Sequence, residues 1–169
     1  VTGSPMKEVI VKHQHLIDNS NVLDELGLEK GKYIIVSAHR EENIDIEDNF
    51  LELMNSINAI AEKYQVPVIY STHPRSRKWI EKRNFKFHPL VKNTKPFGFF
   101  EYVKLQQNAL CVLSDSGTLT EESSLCFSIT ATSTPSILRG YVMSSSVLSS
   151  FASISLVTVM IAIFPSAKK

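Results

Sequence analysis

The chain has 169 residues, 43% of them hydrophobic, and 18 basic against 17 acidic side chains give it a formal net charge of +1. That length supports one core and little more, so one domain is the expectation. Basic and acidic residues are mixed along the chain, which excludes the clustered basic face of a nucleic-acid-binding protein. The two cysteines, Cys111 and Cys126, sit in apolar runs that suit a reduced, cytoplasmic protein rather than a disulfide scaffold, and neither has zinc-site spacing.

The chain opens on Val1-Thr2-Gly3-Ser4-Pro5, without an initiator Met, a basic n-region or an apolar h-region. Turn chemistry followed at once by a helical pattern is how a chain looks where it enters a second domain, so a piece of a longer protein is expected. Up to about Leu26, apolar Val9, Ile10, Leu16 and Leu23 allow one or two helices, ended by Gly27 and Gly31. Tyr33-Ile34-Ile35-Val36-Ser37 then reads as a short buried strand. It runs into the polar loop Ala38-His39-Arg40-Glu41-Glu42-Asn43, after which Phe50, Leu51, Leu53, Met54, Ile57, Ile60 and Ala61 recur at helical spacing. Pro67-Val68-Ile69-Tyr70-Ser71 repeats the strand, with Thr72-His73-Pro74-Arg75 as its loop and a short helix from about Arg77 to Lys82. Residues 91–97 hold a further short strand, 102–108 a helix, and 110–113 another apolar strand.

Apolar strands alternating with amphipathic helices predict an α/β fold, a Rossmann-like parallel sheet with helices on both faces. Ligands of such sheets sit at the C-terminal edge of the strands. The polar loops at His39, His73 and Ser116 each follow a strand and are expected to open on that one edge.

Of these loops, Ser114-Asp115-Ser116-Gly117-Thr118-Leu119-Thr120-Glu121-Glu122 carries the most chemistry. A strand that breaks into a polar turn and then a helix aims backbone N–H groups and the positive end of the helix dipole at one point, where an anion binds without a basic side chain. Gly117 permits close approach of the backbone, Ser116 and Thr118 offer hydroxyls, and Glu122 lies about one turn further on, where a sugar diol can donate to it. A nucleotide or nucleotide-sugar fits this turn, and so does a plain N-capped helix without a ligand. His39 is placed to move a proton near neutral pH, with Arg40 beside it for phosphate charge; a loop histidine in a solvated charge cluster is the alternative. His73 is a secondary candidate, equally readable as a simple strand exit. Trp79 reads as a packing residue, and no metal set, Walker loop or nucleophile elbow emerges.

Together, Val1-Thr2-Gly3-Ser4-Pro5-Met6, Ser37-Ala38-His39-Arg40-Glu41-Glu42-Asn43, Ser71-Thr72-His73-Pro74-Arg75 and the stretch 114–124 resemble the C-terminal half of the non-hydrolysing UDP-N-acetylglucosamine 2-epimerases. Lys95-Pro96-Phe97-Gly98-Phe99, with Tyr102 and Leu105, looks more like the branch that forms UDP-N-acetyl-L-fucosamine for capsule or O-antigen. The resemblance implies one half of a two-domain glycosyltransferase-B-like architecture with a UDP-sugar in the cleft between the halves. It implies loss of the C2 proton, elimination of UDP to a glycal and re-addition with inversion at C2, with no metal or nicotinamide cofactor, and a homodimer for the full-length protein. By motif position, His39 matches the family's active-site histidine, with Arg40 beside it. Ser116, Gly117 and Thr118 match the diphosphate-binding turn, Glu122 the acid on the ribose, and Tyr102 falls near the aromatic at the uracil.

The family's N-terminal half, which carries the carboxylates expected to transfer the C2 proton, is not in this sequence. The chain alone is therefore expected to bind weakly and not to turn over. From about Cys126 the pattern departs again: the family continues with a strand and an Arg-Pro-Glu motif, whereas this chain gives Phe127-Ser128-Ile129-Thr130-Ala131. No acid follows Glu122, and residues 140–167 carry no charge. That run is long enough to span a membrane, but its many serines argue against a span, and a buried terminal segment lacks the charged faces such segments have. The expected organisation is an incomplete UDP-binding domain over 1–125 and an atypical Ser/Ile-rich tail over 126–169, translated out of frame. Some codon choices for Ile137-Leu138-Arg139-Gly140 would read Pro-Glu-Gly in a shifted frame. The competing functions are an inactive remnant without a ligand and a glycosyltransferase of the same architecture.

Overall fold

The computed structural model describes residues 5–115 and the backbone of residues 160–163. Strands β1 (Ile34–Ser37), β2 (Val68–Ser71), β3 (Val91–Thr94), β4 (Cys111–Ser114) and β5 (Met160–Ile163) form one sheet in the order β3-β2-β1-β4-β5. The first four are parallel, as the sequence predicts, while β5 adds an antiparallel edge to β4, with Val112 opposite Ala162. Apart from β5, the tail beyond residue 125 lies outside the described residues, as does the helix expected after Gly117. Among the described residues no helix is long and apolar enough to cross a membrane.

Both faces of the sheet are covered, so its strands are apolar throughout rather than alternating. Ile34, Val36, Val68, Tyr70, Cys111 and Leu113 face one way, onto Phe50, Leu53, Met54, Ile57, Ile60 and Ala61 of α5 (Glu47–Tyr64). Ile35, Ile69 and Val112 face the other way, onto Val22, Leu28, Leu105 and Ala109. Ile10, Ile17 and Val103 form a third, smaller cluster between the N-terminal helices and α7 (Phe99–Asn108). The buried hydroxyl of Tyr33 donates to the Leu105 carbonyl at 2.7 Å, fixing the start of β1 to α7.

Helix limits follow from local chemistry. The N-terminal stretch, expected as one or two helices, is three short ones: α1 (Pro5–Lys12), α2 (Gln14–Asp18) and α3 (Val22–Leu26). Asn19, Ser20 and Asn21 interrupt it, since short polar side chains compete for backbone groups, and the Ser20 hydroxyl accepts from the Val22 N–H. Gly27 ends α3 at φ +61°, the left-handed conformation that glycine adopts without cost. Part of the expected polar loop after β1 is a helical turn, α4 (Glu41–Ile44). Helix α6 (Pro74–Lys82) starts earlier than expected, because Pro74 sits at its first position, where its missing N–H costs nothing, and His73 is its N-cap. Helix α7 also starts early, with Glu101 Oε2 reaching back 3.0 Å to the Gly98 N–H. Strand β3 stops at Thr94 rather than continuing to residue 97, as Pro96 has no N–H to give to a ladder.

Candidate functional site

All four parallel strands end on a hydroxyl residue: Ser37, Ser71, Thr94 and Ser114. The register pairs Ser37 with Ser114 and Ser71 with Thr94, so these residues form a row along the C-terminal edge. From β1 the chain winds outward through β2 to β3, then returns to β4 on the other side of β1. The exits of β1 and β4 therefore diverge, which opens the crevice where doubly wound sheets bind ligands.

Asp115, the first residue after β4, joins the two walls of that crevice. It is 2% exposed. Its Oδ2 accepts from the backbone N–H of His39 at 3.0 Å, from that of Arg40 at 2.9 Å and from Asn43 Nδ2 at 3.0 Å. Its Oδ1 lies 3.1 Å from the His39 backbone nitrogen and 3.4 Å from His39 Nδ1. Asn43 is itself 2% exposed, and the Asp115 N–H reaches the Ser37 carbonyl at 3.3 Å. A buried carboxylate is tolerated only when donors surround it, and here the donors are the loop itself. The His39 side chain, 47% exposed, and the exposed Arg40 are thus carried on a backbone clamped from below.

A second set of contacts ties the two ends of α4, Glu41 and Asp45, to the start of α6. Arg75 donates through Nε and Nη2 to Asp45 at 3.1 and 2.7 Å, and through Nη1 to Glu41. The Trp79 indole N–H donates to Asp45 Oδ1 at 3.1 Å. The Glu41 hydrogen bond, then that to Asp45, raises the guanidinium pKa further. Beneath them the Ala38 carbonyl accepts from the Tyr70 hydroxyl at 3.4 Å and from Ser76 Oγ at 3.5 Å. Burial, with the Asp115 charge adding to it against the Ser76 hydrogen bond, pushes the Tyr70 phenol up to about 12. Tyr70 is therefore a neutral donor at physiological pH.

The structure brings His39, Arg40 and His73 to the same edge. Register places His73 on β2's exit as His39 is placed on β1's, each three residues past the paired Val36 and Tyr70. His73 Nδ1 accepts from the Arg75 N–H at 3.3 Å, so this imidazole has a capping role. Tyr102 is half-buried on α7 and packs against the cluster of Tyr33, Ile35 and Leu105. Ser116, Gly117, Thr118 and Glu122 lie outside the described residues. Sequence reasoning missed Asp115 and Asn43 as members of the site. The available signal was a carboxylate directly at the end of a wholly apolar strand, which must find several donors. Among the described residues no group of three His, Cys, Asp or Glu side chains is placed to hold a metal ion.

A parallel sheet of this winding, with its polar loops gathered at one edge, defines a Rossmann-like domain. Residues 1–132 match the model of the family described as UDP-N-acetylglucosamine 2-epimerase, and the chain belongs to that family. A UDP-N-acetylglucosamine 2-epimerase homolog of Methanococcus maripaludis is 37% identical over 127 residues, 72% of this chain and 34% of the relative. The structure of UDP-N-acetylglucosamine 2-epimerase from Rickettsia bellii is similar at 36% identity and a TM-score of 0.58, over 73% of this chain and 32% of that one. The Methanocaldococcus jannaschii UDP-GlcNAc 2-epimerase, in complex with UDP-GlcNAc and UDP, matches at 26% identity and a TM-score of 0.66, over 75% of this chain and 36% of that one. The fold is accordingly one half of a glycosyltransferase-B-like two-domain fold, and the chain spans between 26% and 34% of the length of the curated relatives it matches.

Proposed function

We propose that this chain is the UDP-binding half of a nucleotide-sugar 2-epimerase acting on a UDP-N-acetylhexosamine. The observation that carries the reading is the Asp115 clamp, which holds the His39–Arg40 loop against the exit of β4, where the sequence continues into Ser116-Gly117-Thr118. In this reading the turn and Arg40 take the diphosphate, Glu122 the ribose and Tyr102 the uracil. His39 bonds to the leaving phosphate. When a base takes the C2 proton, the C2–H electrons form the C1=C2 bond of a glycal and UDP departs with the C1–O pair. Negative charge grows on the diphosphate, where Arg40 and the oriented N–H groups stabilise it. Return of a proton to the other face of C2, with re-addition of UDP at C1, gives the epimer. The base belongs to the other half of the fold, so this chain binds without turning over. The product serves cell-surface polysaccharide synthesis.

Calorimetry with UDP tests the reading. Saturable binding that weakens about tenfold or more in Arg40→Ala and in Glu122→Ala, as loss of a charge-assisted contact requires, supports it. Absence of saturable binding by a folded chain sinks it.

A further inference from the structure

Asp115 has acceptor capacity for one more donor than the backbone and Asn43 supply. A carboxylate offers about four lone-pair sites over its two oxygens. Oδ2 is filled by the N–H groups of His39 and Arg40 and by Asn43 Nδ2, whereas Oδ1 meets the His39 N–H only as the longer arm of a shared bond, 3.1 against 3.0 Å. Among the described residues, the polar side-chain atom near this under-used oxygen is His39 Nδ1, at 3.4 Å. If the proton of the neutral imidazole sat on Nε2, the Nδ1 lone pair would lie 3.4 Å from a buried carboxylate oxygen, acceptor beside acceptor. With the proton on Nδ1, the same geometry is attractive. The Asp115 side chain is 1% exposed, so water does not soften that choice.

We infer that Asp115 is a positioning residue that holds neutral His39 in the Nδ1–H tautomer and so presents Nε2, at the far end of the ring, as the open nitrogen at the sheet edge. An imidazole in water prefers the opposite tautomer, so the fold reverses the ordinary assignment. One carboxylate thereby sets both the backbone path of the loop and the identity of the nitrogen that meets a ligand. The use of that nitrogen at a diphosphate, where it must first take a proton on Nε2 in order to donate to a phosphate oxygen, rests on the function proposed above; the tautomer does not.

The test is the ring-nitrogen spectrum of the 15N-labelled, 169-residue chain without ligand at about pH 8, where imidazole is largely neutral. His39 is expected to show a pyrrole-type Nδ1 and a pyridine-type Nε2, while the exposed His15 shows the reverse and serves as an internal reference. In Asp115→Asn, His39 is expected to move towards the His15 pattern. The amide protons of His39 and Arg40 should then exchange about tenfold faster, as loss of a charged acceptor implies. A pyridine-type Nδ1 in the parent chain overturns the inference. So does a folded Asp115→Asn protein whose tautomer is unchanged; if that variant does not fold, the parent spectrum decides alone. UDP is then added: an Nδ1–H ring in a chain that does not bind UDP rejects the proposed function and keeps the tautomer, and UDP binding with an Nε2–H ring does the reverse.

Discussion

Asn43 shows how much of the site rests on single buried polar atoms. Its Nδ2 meets Asp115 at 3.0 Å in a place that is 2% exposed, so Asn43→Ala removes a donor without admitting a replacement. A loss of about 1.5–3 kcal/mol is expected, visible as a lower urea midpoint with an unchanged slope. Cys111, on β4, is the opposite case, a group with chemistry that the fold switches off. Burial pushes its thiol up to about 12, so the thiolate is absent at pH 8. Iodoacetamide at that pH should leave the Cys111 peptide unmodified in the native chain and label it in urea, as mass spectrometry would show. His39 and Arg40 were legible as candidates in the sequence because their chemistry is local. Asp115 and Asn43 were not, since what they do depends on a partner 72 residues away in the chain.

At the scale of elements, the apolar rows decide almost everything. Phe50 in α5 is wholly buried, with Phe85 edge-on at 6.3 Å and the Arg83 guanidinium 4.5 Å from its ring centroid. Phe50→Ala should cost about 3–5 kcal/mol, measured by chemical denaturation. The contact between α6 and α4 with its C-cap is polar instead, and Asp45 takes most of it. The chain has 1 Trp, whose indole N–H gives a single resonance; in Asp45→Ala it should move upfield and exchange faster. These elements were legible to different degrees. Strands β1, β2 and β4 are short apolar runs with only one stable place, between two layers, and they fall within a residue or so of expectation. The starts of α6 and α7 fall before the expected ones because Pro74 and Gly98 look like loop residues until their caps are seen, His73 before Pro74 and Glu101 reaching back to Gly98. Strand β5 carries no local signal that separates it from the rest of an uncharged Ser/Ile-rich stretch.

For the whole molecule, three buried acids set an alkaline limit on stability. Cys111 is raised from 9.0 to about 12, Tyr70 from 10.0 to about 12, and burial raises Tyr33 further still. Each holds its proton more tightly folded than unfolded, so its contribution is complete below pH 9 and is lost as the pH climbs from about 9 towards 12. Urea midpoints should be flat from pH 7 to 8.5 and fall steeply above pH 10; a flat profile to pH 11 would contradict this. The α/β architecture, a sheet covered on both faces, was legible as a whole because strand and helix periods alternate so regularly, and the family membership agrees with it. The Asp115 clamp also has a consequence in time. It links residues 75 and 76 positions apart, and it cannot form until β4 has docked beside β1, after the intervening helices and strands are in place. Contacts of such long separation are late and slow to close in a folding chain. Competence to hold a ligand should therefore appear last during refolding, after helical signal has returned. A ligand that selects the clamped loop would pull on the final step of folding rather than on the first.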